Sequence, residues 1–271
     1  MQQLRWKTAF VTGGSRGIGR GIVLKLAESG IKRIAINYLW NDAAATDTAG
    51  KIKDRGAEAI LVKGEVGKPE EVKRMFAKVK GDFNGSLDIF VHCARPNPGA
   101  WLAPPMEATP EGLRQAFDSA SVAMAVACQE CVPLMPKGGR IIGITYEPGG
   151  RTGSWQVWIA MGGGKAAMES TIRYFAVALA KKGITVNAVS PNVIDDSVLN
   201  ALPEPVYKGI KAWNESGWTP FGRMGTPADI GNAVALLCAD EASFITGQTI
   251  YADGGASLMN SDMPLNIQGV G

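Results

Sequence analysis

The chain has 271 residues, 46% of them apolar and 20% charged, a globular balance long enough for a full core. A net charge of +3 is too small to argue for a nucleic-acid partner, and no apolar run reaches the ~18 residues that a membrane span needs. Four cysteines and no secretory signal predict a reducing, cytoplasmic setting.

Thr8-Ala9-Phe10-Val11 reads as a first strand. Thr12-Gly13-Gly14-Ser15-Arg16-Gly17-Ile18-Gly19 follows as a glycine loop. Ile18, Ile22 and Leu26, with Val23 and Ala27, then form the stripe of a helix. Strand, glycine loop and helix make the first unit of a dinucleotide-binding fold. Gly13 allows the turn, Gly17 allows backbone to approach a pyrophosphate, and Gly19 allows helix and strand to pack closely. The amides of the helix start then face the phosphates.

Arg33-Ile34-Ala35-Ile36-Asn37 is a second strand, ending at the neutral pair Asn37-Tyr38. A carboxylate at this end would bind the ribose 2′-hydroxyl of NAD. With no carboxylate there, and Arg16 in the loop, the sequence predicts NADPH. A helix is expected over 42–55 and a third strand over 59–62. Glu65-Val66 lies past its end, where a carboxylate can reach the adenine amino group. Pro69 opens a helix to about Lys80, and Leu87-Asp88-Ile89-Phe90-Val91 is a fourth strand. His92-Cys93-Ala94-Arg95 reads as the loop above that strand.

One helix is expected over 111–135, a fifth strand over 140–145, a long helix over 158–181 and a sixth strand over 184–189. A helix over 227–238 and a seventh strand over 249–252 complete the pattern. Strands alternating with helices predict an α/β fold, a doubly wound parallel sheet of about seven strands with helices on both faces. No internal boundary divides 1–271. Cys128-x2-Cys131 resembles half a metal site, but it lacks a second pair and falls within a helix, so buried core is the better reading and no metal is expected.

With these elements in place the chain resembles the short-chain dehydrogenase/reductase family over nearly its whole length. The matching stretches are Thr12-Gly13-x3-Gly17-Ile18-Gly19, Glu65-Val66, Lys165-Ala166-Ala167, Ile184-Thr185-Val186-Asn187-Ala188-Val189, Arg223-Met224-Gly225-Thr226-Pro227 and Ile245-Thr246-Gly247-Gln248 before Asp253-Gly254-Gly255. The resemblance implies a Rossmann-type, usually homotetrameric enzyme that moves hydride to or from NAD(P). It sets Gly13, Ser15, Arg16, Gly17, Ile18, Gly19, Asn37, Tyr38, Glu65, Val66, Cys93, Ala94, Lys165 and Ile194 against the cofactor.

The departures from the family pattern are informative. Ordinary members carry Asn, Ser, Tyr and Lys, the last two as Tyr-x3-Lys. Here Met161 holds the tyrosine place, Thr145-Tyr146 the serine place, and Ser119-Ala120-Ser121 the asparagine region; Lys165 alone stands where expected. Enoyl reductases on this fold use Tyr-x6-Lys with another tyrosine at the end of strand five. Trp158-x6-Lys165 and Ile144-Thr145-Tyr146 resemble that branch, with Trp158 in the inner tyrosine's place.

Reducing a ketone makes an alkoxide and demands a proton donor. Reducing a conjugated C=C makes an enolate that hydrogen bonds stabilise, and reducing an iminium makes a neutral amine. The expected reaction is therefore NADPH-dependent reduction of an activated C=C in a small, bulky apolar molecule, either a thioester or a similar carbonyl compound. An imine or iminium reductase, a cofactor-retaining cyclase, a non-catalytic NADP-binding protein and ordinary carbonyl reduction by a rearranged site stay open as alternatives.

Tyr146, Trp158 and Lys165 are the catalytic candidates. Tyr146 is either acid or structural aromatic, Trp158 either N–H donor, cationic platform or cavity wall, and Trp155 a wall. His92 and Cys93 are weaker candidates, and Arg95 is either an anion contact or solvated. Segment 198–219, with Leu199, Leu202, Tyr207, Trp213 and Trp218, stands where the family has its substrate lid. The polar tail 257–271 either packs on a neighbouring subunit or stays mobile.

Overall fold

The computed structural model describes residues 4–96, 102–135, 138–146, 157–196 and 199–259. Its centre is a parallel sheet of seven strands: β1 (Thr8–Thr12), β2 (Arg33–Tyr38), β3 (Glu58–Lys63), β4 (Ile89–His92), β5 (Gly139–Ile144), β6 (Ile184–Pro191) and β7 (Thr249–Ala252), in the order β3-β2-β1-β4-β5-β6-β7. Helices α1 (Gly17–Glu28), α2 (Asp42–Lys53), α3 (Pro69–Asp82), α4 (Pro110–Phe117), α5 (Ala123–Cys131), α6 (Ile159–Leu179), α7 (Glu204–Trp213) and α8 (Pro227–Cys238) complete it. The doubly wound α/β expectation therefore holds.

Strand alternation explains the two layers of core. Phe10 and Phe90 project to one face and meet Phe76 of α3. Ala9, Val11, Ile89 and Val91 project to the other and meet Ile22, Val23 and Leu26 of α1. On that face α1 and α8 approach at glycines: a Cβ on Gly231 would lie 2.6 Å from the carbonyl oxygen of Gly21. Both Cys128 and Cys131 are buried in the opposite layer.

Two local expectations change. The single helix over 111–135 is broken into α4, a π-type turn at Asp118–Val122, α5 and a short 3₁₀ turn at Val132–Leu134. His92 is the last residue of β4 rather than part of the loop above it. Segment 198–219 folds, over its described residues, into a 3₁₀ turn, α7 and a second π-type turn at Asn214–Trp218. Trp155 and the tail beyond Met259 lie outside the described residues. Among the described residues no helix is long and apolar enough to cross a membrane.

The chain runs outward from β1 to β2 and β3, then crosses back to β4 on the other side. This reversal opens a crevice above the carboxyl ends of β1 and β4, the place where open α/β sheets bind ligands.

Candidate active site

The glycine loop closes over the β1 end of this crevice. Gly13 and Gly17 have φ of 66° and 53°, in the left-handed region that favours glycine. A Cβ on Gly19 would lie 2.1 Å from the carbonyl oxygen of Gly13, so only glycine lets α1 start this close to the loop. At the start of α1, Arg16 stands in the N-cap position without a side-chain cap. The helix amides there are free to receive an anion.

Asn37 braces the loop from below. Its Oδ1 accepts from the Gly13 amide at 3.2 Å, and its Nδ2 donates to the carbonyl oxygens of Val62 and Gly64 at 3.2 and 2.9 Å. The side chain is buried. The Asn37 side chain is thus a support of the loop: its amide spends its hydrogen bonds inward. Thr48 donates to the Ser15 carbonyl at 2.7 Å and fixes the loop from the α2 side.

Thr12 ties the loop to β4. Its Oγ1 accepts from the amides of Cys93 and Ala94 at 3.1 and 3.2 Å and lies 2.9 Å from His92 Nδ1. His92 Nε2 lies 2.9 Å from the Ser119 carbonyl, which can only accept. The proton therefore sits on Nε2, and Thr12 donates its own to Nδ1. Burial, and then the charge of Lys165, push the imidazole down to about 3. His92 is a neutral strut between β1, β4 and the π-type turn, and no acid or base at working pH. Burial likewise pushes the Cys93 thiol up to about 12, which removes it as a nucleophile.

Lys165 stands on α6 beside β5. Its Nζ donates to the Ile144 carbonyl at 2.6 Å, and its side chain is buried. Burial holds its ammonium down to about 8. One turn further along α6, Glu169 accepts from the Thr145 hydroxyl at 2.5 Å. The residue in the serine place is thus committed to the helix.

Tyr146 extends past β5 and packs with Trp158, their ring centroids 5.2 Å apart. Both rest against a small cluster of Ala116, Ala160 and Met161. Tyr146 is half-buried with its hydroxyl oxygen buried, and Trp158 precedes the first turn of α6. The structure therefore brings Tyr146, Trp158 and Met161 to one apolar wall, with Met161 four residues ahead of Lys165 on α6.

On the β6 side, Ile194 is buried and bridges to Gly225, where a Cβ would lie 2.5 Å from its Cδ1. Asp196 beside it is also buried. Arg95 faces this corner from the β4 loop: burial and the nearby Arg16 lower its affinity for its proton, and Asp196 opposes them. Tyr38 donates to Asp42 at 2.8 Å, and Glu65 pairs with Lys68 at 2.7 Å, so the Glu65 carboxylate is engaged at the surface. The Val66 side chain turns into the core.

Sequence reasoning missed Glu169, Asp196 and the role of Thr12 in tying the loop to β4. Glu169 shares a helix face with Lys165 at i+4, a signal present in the sequence. Asp196 carried no spacing signal, because its place is set by the loop after β6.

The comparisons with known proteins agree with this fold. The chain belongs to the short-chain dehydrogenase/reductase family: a family model described as "Enoyl-(Acyl carrier protein) reductase" matches residues 13–257. It is an NAD(P)-dependent oxidoreductase of that family. The 3-oxoacyl-[acyl-carrier-protein] reductase FabG of Staphylococcus epidermidis is 34% identical over 252 residues, covering 92% of this chain and 98% of that protein. The 1-cyclohexenylcarbonyl-CoA reductase of Streptomyces collinus is 32% identical over 259 residues, covering 94% and 88%. The solved angucycline C-6 ketoreductase LanV with bound NADP superposes with a TM-score of 0.83 at 33% identity, covering 95% of this chain and 100% of that one.

Proposed function

We propose that this enzyme uses NADPH to reduce an activated carbon–carbon double bond in a bulky apolar substrate, one conjugated to a thioester or similar carbonyl. The cofactor is NADPH, and the crevice fits it. Glycines stand where a Cβ would fill the cradle, the start of α1 is uncapped, and the Arg16 and Arg95 guanidiniums stand close enough to repel. The loop 13–19 would hold the phosphates, with Arg16 at the 2′-phosphate, Lys165 at the nicotinamide ribose, and Ile194, Cys93 and Ala94 beside the ring. When bound, the cofactor supplies hydride.

The observation that carries the reading is Met161. Four residues before Lys165 the family places its tyrosine acid, and here that position is a methionine packed with Ala116 and Ala160. A thioether donates no proton. With Thr145 bound to Glu169 and His92 held neutral, ketone reduction lacks its acid at the family's position. Enolate formation asks only for a hydrogen bond at oxygen, which Tyr146 gives from an apolar wall where such a bond counts for more. Carbon is then protonated from solvent. Trp158 shapes the wall, and its indole N–H is the second donor. The cyclohexenylcarbonyl-CoA relative supports the reading by its substrate type.

We further propose that the chain is one cofactor-binding domain with a substrate lid at about 198–219. It assembles as a homotetramer through the faces of α6 and of the π-type turn that leads into α5, where Tyr174, Val177 and Val122 are exposed. The test is NADPH oxidation over a panel of enoyl thioesters, ketones and cyclic imines. Turnover of enoyl thioesters about a hundredfold or more above that of ketones is expected, since Met161 costs ketones a factor of the size that acid catalysis supplies. Preferred turnover of ketones would overturn the reading, and preferred turnover of imines would replace it with the iminium alternative.

A further inference from the structure

The cofactor's far end carries a residue that the pattern of the loop does not account for. Trp40 stands two residues beyond β2 with 55% of its surface exposed, beside the exposed Leu39. The Arg16 guanidinium lies over its ring, 5.3 Å from the centroid. Exposed aromatics are ordinary on a protein surface; what marks this one is its contact with an arginine of the glycine loop.

The cations around this corner are mostly committed. Lys63 pairs with Asp42 at 3.0 Å, Arg20 pairs with Asp47 at 3.0 Å and also donates to Thr48, and Lys68 pairs with Glu65 at 2.7 Å. Among the described residues Arg16 pairs with no carboxylate; its contact is the indole face. Its backbone is extended, with φ of −157°, and its side chain caps nothing in α1. A guanidinium stacked on an aromatic face loses little of its in-plane fork of N–H donors, and it is already ordered when an anion arrives. Ordering a free arginine costs side-chain entropy that the ring has here already met.

We propose that Trp40 is a specificity-determining residue of this enzyme, holding Arg16 in the orientation that receives the 2′-phosphate and so setting the preference for NADPH over NADH. This rests on the NADPH reading above. Leu39 and Trp40 follow the strand end where other dinucleotide folds place a carboxylate for the 2′-hydroxyl. In this chain an aromatic platform for a loop arginine occupies that ground.

The experiment is calorimetric titration, without turnover, of 2′,5′-ADP, 5′-ADP, NADPH and NADH into the parent, Trp40→Ala, Trp40→Phe, Arg16→Ala and the Trp40→Ala/Arg16→Ala double variant. Trp40→Ala should weaken 2′,5′-ADP and NADPH by about three- to fivefold, the value of an exposed cation–π contact, and leave 5′-ADP and NADH unchanged. Trp40→Phe should restore most of the loss. In the Arg16→Ala background, Trp40→Ala should have no further effect, because there is nothing left to orient.

Equal weakening of the phosphorylated and unphosphorylated ligands would overturn the proposal and make Trp40 an adenine platform. Unchanged binding in Trp40→Ala, or additive losses in the double variant, would also overturn it. A parent that binds NADPH and NADH equally refutes the NADPH reading itself, and that outcome is separate from the others. Because Trp40 is exposed, the alanine variant keeps the core intact; its melting temperature checks this.

Discussion

Lys165 ties the chemistry of the site to the stability of the fold, and pH separates the two. Its buried ammonium is held down from 10.5 to about 8 by the loss of water around it. At about 1.4 kcal/mol for each tenfold, that difference corresponds to ~3 kcal/mol between the charged and neutral forms. Between pH 8 and 10.5 the unfolded chain binds this proton and the native chain does not. The ligand-free protein should therefore gain stability from this group as pH rises through that window, and lose it as pH falls through about 8. Lys165→Met removes the titration. Urea unfolding of both proteins from pH 7 to 10.5 should show their difference moving in favour of the parent by up to ~3 kcal/mol, all of it above about pH 8. NADPH binding should run the other way, weakening above pH 8 as the ammonium that meets the ribose is lost. The bound phosphates favour the charged form, so the binding midpoint should lie above 8. A difference in stability that does not change with pH would show that Lys165 is not the desolvated cation described here.

Three further predictions follow from the same wall and helix. Tyr146→Phe should lower kcat on an enoyl thioester by about 10²–10³ with KM little changed, the size of one lost oxyanion donor; full activity in steady-state assays would move the donor role to the Trp158 indole. Gly164→Ala should lower stability by about 1–3 kcal/mol, because its Cβ would lie 2.7 Å from the Ala116 carbonyl oxygen, while Gly162→Ala, which meets nothing within 4 Å among the described residues, should raise it by up to about 1 kcal/mol; melting temperatures moving in the same direction would contradict the packing. Sedimentation should give a mass near four times 28.6 kDa, and a mass near the single chain would rule out the tetramer.

Much of this arrangement was legible before any coordinates, for reasons that differ by element. The glycine loop was readable because steric limits at Gly13, Gly17 and Gly19 leave few alternatives to a strand–turn–helix. Helix α8 and strand β7 were readable to the residue, since Thr226 and Asp229 form a capping box and Pro227 opens the helix. The break at Asp118–Val122 was not, because a π-type turn keeps the apolar stripe nearly in phase and changes no residue type. The inward turn of Asn37 was also hidden: the sequence offers a neutral residue at a strand end, and only the packing of β3 shows that its amide is needed below the loop. His92 looked titratable because its type is, whereas its partners Thr12 and Ser119 lie 80 and 27 residues away in the chain. Polar residues acquire their roles from partners distant in sequence, and spacing along the chain does not carry that information.

The same apolar wall connects the two unusual properties of the site. Met161, Ala116 and Ala160 exclude water from the first turns of α6, where Tyr146 and Trp158 pack. Exclusion of water lowers the Lys165 ammonium toward neutrality, and it strengthens any hydrogen bond that Tyr146 makes to a developing charge. A tyrosine acid in place of Met161 would add a proton that an enolate oxygen does not need, at the cost of a polar group on that wall. The methionine is thus consistent with a reaction whose demand is a dry, oriented hydrogen bond, and Thr145 reinforces it by giving its hydroxyl to Glu169. Restoring the acid with Met161→Tyr would reverse the logic, opening ketone reduction where the wall can accept the ring and slowing enoyl turnover where the new hydroxyl draws water in.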